Sequence, residues 1–249
     1  MKYGIFGAAL ALNLAFAAQA AGEGASGADP GGGEAQAQGP GPAAPDAEAA
    51  EAPGPFAIDI HGGSTGGGAA IEYVVNGYLI ARVSGDWLGV SHGFDTSDAT
   101  FSGHANWATV GLFADVHPFN DGWFLSGGVY QGARNASVSG RTTKDVVVDG
   151  VTLTPADIGQ VNGEARLDNT SPFAGVGWDQ AQHVRRGFTF RFLAGAAFGG
   201  AKLRLWDNGP NAGTEPVQKW IAQEQADAQS KADPWKAYPV VQLGVGYRF

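Results

Sequence analysis

The chain has 249 residues, a formal net charge of -9 and no cysteine. Disulfides, zinc–thiolate sites and cysteine nucleophiles are therefore excluded. Residues 1–55 hold 6 of the 24 acids and 1 of the 15 bases, so the remainder is close to balance, carries no basic stripe and is not expected to bind nucleic acid.

Met1-Lys2 is a short positive start, and Ile5 to Ala18 is almost wholly apolar. Ala18-Gln19-Ala20 then reads as a small-x-small cleavage site, which predicts a signal peptide over residues 1–20. The rival reading, a retained inner-membrane anchor, has too short an apolar run to span a bilayer comfortably. Residues 21–55 are rich in Ala, Gly, Pro and Glu, with no aromatic and no periodicity. Such a segment buries too little apolar area to offset its ordering entropy and is expected to be a disordered linker.

From Phe56 the chain parses into eight segments of period two, the repeat of a strand. Phe56–His61 sends Phe56, Ile58 and Ile60 to one side, Asp59 and His61 to the other. Ala69–Val75 separates Ile71 and Tyr73 from Glu72, and Asn76-Gly77 follows as a tight-turn dipeptide. Tyr78–Val90 sets Ala81, Val83, Gly85 and Trp87 against Arg82, Ser84 and Asp86. Trp107–His117 sets Val110, Leu112, Ala114 and Val116 against Thr109, Gly111, Phe113, Asp115 and His117. After a turn at Pro118–Gly122 come Trp123, Leu125, Gly127 and Val129, then Ala174, Val176 and Trp178 of Pro172–Trp178. The seventh segment alternates Phe188, Phe190, Phe192 and Phe198 with Thr189, Arg191, Leu193 and Gly195. The eighth alternates Val241, Leu243, Val245, Tyr247 and Phe249 with Gln242, Gly244, Gly246 and Arg248.

Connections after the second, fourth and sixth segments are short. Those after the third, fifth and seventh are long, at about Ser91–Asn106, Ser139–Ser171 and Gly200–Ala237. This asymmetry predicts an all-β fold over residues 56–249: an eight-stranded antiparallel up-and-down transmembrane β-barrel with a short helix in one loop. Ten strands is the alternative if the hairpin around Asp149-Gly150 joins the wall. Mean hydropathy, -0.11, does not oppose a barrel, because alternating strands average low.

Two stretches carry a resemblance. The strand closing on Tyr247-Arg248-Phe249 resembles the last strand of Gram-negative outer-membrane barrels, and this implies that the barrel-assembly machinery reads Tyr247 and Phe249. The run Val116-His117-Pro118-Phe119, continued by Gly122-Trp123-Phe124-Leu125-Ser126-Gly127-Gly128, is similar to a family of uncharacterised proteobacterial outer-membrane proteins of small, OmpA-type barrel. Its members share a His-Pro-Phe turn followed by an aromatic-x-Leu-Ser-Gly-Gly strand. Gly150–Asp157, Pro172–Trp178 and Tyr238–Phe249 are similar as well, so the resemblance covers Phe56 to Phe249. Phe124 departs from it, standing where a basic residue is frequent. The resemblance implies an outer-membrane location and contact with membrane lipid and lipopolysaccharide, and an even strand count is expected to return both ends to the periplasm. It implies no cofactor and no assigned activity, and the oligomeric state stays open.

Eight strands enclose little more than their own inward side chains. Asp59, Glu72, Asp86 and Asp115 face inward with Arg82, Arg191 and Arg248, and with His61 and His117. Such charges form either a selectivity ring for small polar solutes or a paired network that plugs the bore. The plug is favoured because small barrels are filled, so the expected role is structural or surface-interacting, with a narrow passive channel for small polar solutes as the alternative and a lipid-modifying enzyme as a distant one. No catalytic residue is expected: Ser91-His92, at the start of a polar loop, is the one adjacent Ser-His pair, and strand neighbours point to opposite faces. Asp86, Asp95 and Asp98 match no calcium loop, and no metal site is expected. Thr214 to Pro234 reads as a helix with a capping Thr and with Val217, Trp220 and Ile221 on one face, lying at the interface or over the mouth.

Overall fold

The computed structural model describes residues 54–95, 99–181 and 183–249. The expected signal peptide, and all of the expected linker except Gly54 and Pro55, lie outside the described residues. Period-two patterning yields strands β1 (Phe56–Gly63), β2 (Gly66–Asn76), β3 (Leu79–Asp95), β4 (Ala99–Val116) and β5 (Trp123–Thr142). Next come β6 (Val146–Val148), β7 (Val151–Leu153), helix α1 (Pro155–Ile158), β8 (Gln160–Leu167) and β9 (Thr170–Asp179). The chain finishes with β10 (Gly187–Phe198), β11 (Ala201–Asp207), helix α2 (Glu215–Ala232) and β12 (Ala237–Arg248).

The antiparallel ring closes in the order β1-β2-β3-β4-β5-β9-β10-β12 and back to β1. Eight strands make the wall, and both ends of the ring's chain lie at one rim. The remaining strands of the sheet, β8 and β11, are upward continuations. β5 pairs with β9 along Trp123–Gln131 and with β8 along Asn135–Arg141, so β8 and β9 form one interrupted strand. β11 extends β10 in the same way and pairs with β8. The interruption sits at Gly132, whose φ of 146° is open to glycine and whose N–H donates to the Asn169 carbonyl at 2.8 Å. Across the same level, Asp168 accepts a 2.7 Å hydrogen bond from the Gly200 N–H.

The wall has two heights. β1, β2 and β12 run for 8, 11 and 12 residues, whereas β3, β4 and β5 run for 17, 18 and 20. The stretch Ser91–Asn106, expected as a loop, is therefore corrected to paired strand on both sides of residues 96–98, and Ser91-His92 lies inside β3. The cause is a reversal of sense, not a loss of period. Low on β4, apolar Val110 and Leu112 face out and Asp115 faces in. Higher up, Thr100, Ser102, His104 and Asn106 face out, while Phe101, Ala105 and Trp107 are buried inside. β5 reverses likewise, from outward Leu125 and Val129 to inward Ala136 and Val138.

This upper, inward apolar face meets α2. Val217, Trp220 and Ile221 pack with Phe101, Trp107, Val138, Leu203 and Leu205 into a core above the ring. Burying each large side chain contributes roughly 1.5–3 kcal/mol. α2 also covers the open edge of β11. The Gln229 and Gln225 side-chain oxygens accept from the Leu203 and Leu205 N–H groups at 2.9 and 3.1 Å. An unpaired strand edge would otherwise stand open to another chain. Thr214 does precede the helix, but its hydroxyl donates to the Asn211 carbonyl at 2.8 Å instead of capping.

Candidate functional site

Inward positions of neighbouring strands meet at fixed register, which sets the lumenal chemistry. Glu72 is the cross-strand partner of Arg82, Ile80 of Asp115, and Asp115 of Ser126. Asp115 sits fully buried at the centre. Arg82 Nε donates to its Oδ2 at 2.8 Å and the Ser126 hydroxyl donates to its Oδ1 at 2.6 Å. Arg191, reaching across from β10, donates to Asp115 and pairs with Glu72. Its guanidinium also lies 3.4 Å from Asp179, whose other oxygen is 3.4 Å from His117 Nε2. Both guanidiniums stack on rings, Arg82 at 4.2 Å over Phe113 and Arg191 at 4.6 Å over Phe124. Charges so far from water cost several kcal/mol each unless paired and hydrogen-bonded, and here each meets its opposite.

A second cluster lies on the short wall. His61 sits between Asp59 at 2.7 Å and Asp86 at 3.0 Å. Asp86 also accepts from Thr65, Ser84 and Gln242 at 2.9, 2.8 and 2.9 Å. The predicted inward charges thus divide in two: Asp59, His61 and Asp86 in one group, and Glu72, Arg82, Asp115, Arg191 and His117 in the other. Arg248 joins neither. It is the last inward residue at the terminal rim, where backbone carbonyls are within reach, and it donates to those of Ala181 and Gly54. Asp179 was missed, although its parity with Phe173, Gly175 and Gly177 on β9 marks it as inward. Asp86 and Asp95 are not brought together: one is lumenal, the other exposed at the hairpin end, and Asp98 lies outside the described residues.

Between and above the charges, rings fill the bore. Phe113 lies 4.9 Å from Tyr130 and 5.5 Å from Phe173, each edge to face. The inward glycines are where these rings cross. A methyl added at Gly175 or Gly195 would come within 2.7 Å of the Phe173 ring, and one at Gly111 would overlap Phe113. Higher still is Arg134, 2% exposed, with its guanidinium 4.8 Å over the Tyr238 ring. It donates to the Asp168 carbonyl at 2.7 Å and to the Ser171 hydroxyl. The α2 core closes the arrangement from above.

The outer surface is the inverse of the bore. Trp87, Val110, Leu112, Phe188, Phe190, Val241 and Leu243 all stand exposed in an apolar belt around the ring. Tyr247 and Phe249 close it at the terminal rim, their rings 5.4 Å apart, with Phe188 5.5 Å from Tyr247. A greasy exterior around a polar, crowded interior defines the class: an eight-stranded, antiparallel, up-and-down transmembrane β-barrel.

Solved structures share this fold. CarO2 of Acinetobacter baumannii matches with a TM-score of 0.56 and 18% identity, covering 79% of this chain and 99% of that one. CarO of the same organism matches with a TM-score of 0.54 and 17% identity, covering 78% and 98%. At such identity the likeness is one of fold. No family model and no curated protein matches the chain.

Proposed function

We propose that this is an integral outer-membrane barrel whose role is structural or surface-interacting, and that it is not a conduit. One observation carries the reading: the bore is crossed by the Glu72–Arg191–Asp115–Arg82 chain of ion pairs, with an aromatic layer above it and α2 over that. A solute would have to break buried ion pairs and displace packed rings to pass. The apolar belt supports burial in lipid, and closure on Tyr247 and Phe249 supports delivery by the barrel-assembly machinery. In this reading both ends of the ring's chain are periplasmic. The tall wall and α2 then face outward, toward lipopolysaccharide, and no residue acts as a catalyst.

Planar-bilayer recording of the refolded protein tests it. The expected record is flat, for the wild type and for Arg82→Gln and Glu72→Gln alike. Reproducible conductance steps whose ion preference shifts in those variants would establish the rival reading, a narrow channel for small polar solutes. Orientation is separable, because the native chain has no cysteine. Ser230→Cys on α2 should react with a membrane-impermeant maleimide on intact cells. Reaction only after permeabilisation would turn the barrel over.

A further inference from the structure

We propose that Arg134, Trp107 and Tyr130 bind one small monoanion, of halide or carboxylate size, where the lumen gives way to the core beneath α2. A guanidinium keeps its charge at any ordinary pH. Arg82 and Arg191 each meet carboxylates, but the partners of Arg134 are neutral: the Asp168 carbonyl and the Ser171 hydroxyl. Its Nε and Nη1 are buried without a hydrogen-bond partner. The Asp168 carboxylate compensates only in part, since it lies exposed and accepts from the Gly200 N–H.

Two further donors stand beside this cation. Trp107 is its direct cross-strand neighbour, buried, and its indole N–H has no partner. Arg134 reaches down the strand to Ser171, which lies opposite Tyr130, and the Tyr130 hydroxyl is also buried without a partner. Tyr238 walls the place, its ring 4.8 Å from the guanidinium carbon and 6.2 Å from the Trp107 ring. The site therefore presents unpartnered N–H and O–H donors beside a buried guanidinium that no carboxylate touches. Water would satisfy the donors but leave the buried cation unpaired, which is costly. A monoanion satisfies both, and a single guanidinium supplies one charge, not the two that a phosphate dianion calls for.

The test uses the full chain refolded in detergent. In crystals grown with bromide, an anomalous peak is expected within hydrogen-bonding range of Arg134 and Trp107. In solution, chloride should raise the urea midpoint of the wild type relative to gluconate at equal ionic strength, since binding to the folded state stabilises it. Arg134→Gln should lower chloride affinity by about tenfold or more, and Trp107→Phe should lower it by a smaller factor. Absence of the bromide peak overturns the proposal, as does a chloride response in Arg134→Gln equal to that of the wild type. Should Arg134→Gln fail to refold, the bromide peak and the Trp107→Phe titration decide. The site stands or falls separately from the bilayer record.

Discussion

Asp115→Asn is the sharpest perturbation of the lumen. The wild-type carboxylate accepts from Arg82, Arg191 and Ser126, and it is fully buried. Arg191 keeps Glu72 and Asp179 after the change. Arg82, whose side chain is 2% exposed, loses the carboxylate that it pairs with. Removing one partner of a buried pair costs about 3–5 kcal/mol, because the other charge is left in low dielectric. Set against a total stability of roughly 5–15 kcal/mol, that loss is large. Urea unfolding of the refolded barrel, followed by tryptophan fluorescence and by gel mobility, should show a lowered midpoint at an unchanged slope. Adding Arg82→Met to Asp115→Asn should recover part of the loss, by about 0.5–3 kcal/mol of coupling. A shift below about 1 kcal/mol for Asp115→Asn would refute the argument, since that is how a hydrated surface pair behaves.

Gly111→Ala, which drives a methyl into the Phe113 ring, should destabilise by about 1–3 kcal/mol in the same assay. Gly127→Ala, on the outer face with nothing within 4 Å, should be near neutral, and equal effects would deny a filled bore. Trp220→Ala should loosen α2 at a cost of about 3–5 kcal/mol, seen as faster proteolysis after Lys219 or Lys231 while the ring keeps its gel mobility; unchanged proteolysis would mean that the helix is held otherwise. The Asp157 carboxyl accepts from the Thr154 hydroxyl and N–H and from Asn211, which holds its pKa below the ordinary carboxylate value. The cap on α1 is therefore fully present above the unfolded-chain pKa and is lost as pH falls through the lower folded value. An NMR titration placing Asp157 at or above the unfolded-chain value would contradict this.

The belt was legible in the sequence because lipid demands one sign of alternation, and Phe188 to Phe198 or Val241 to Phe249 display it without interruption. The upper wall was not. Residues 99–106 keep the same period as 107–116, but Phe101 and Ala105 turn in while Thr100 and Ser102 turn out. A reader tracking apolar-out parity sees the strand end there, although the hydrogen-bonded ladder runs on. The inward face of the lumenal groups follows from the same parity. What parity could not tell was reach: Arg191 is long enough to span the bore to Glu72, whereas Arg248 has run out of wall. Arg134 shares its parity with Phe124 and Tyr130, and extending β5 past Val129 would have found it. The edge-capping glutamines of α2 have no signature of this kind, since only the folded pairing reveals which strand lacks a neighbour.

The height at which β4 and β5 change from apolar-out to apolar-in acts as a waterline drawn on the hull. Were the protein to sink, the polar Asn106–Asn135 pair would move toward hydrocarbon; were it to rise, the apolar Leu112–Val129 pair would move toward solvent. Either displacement is opposed from both sides at once, so the barrel carries its own draught.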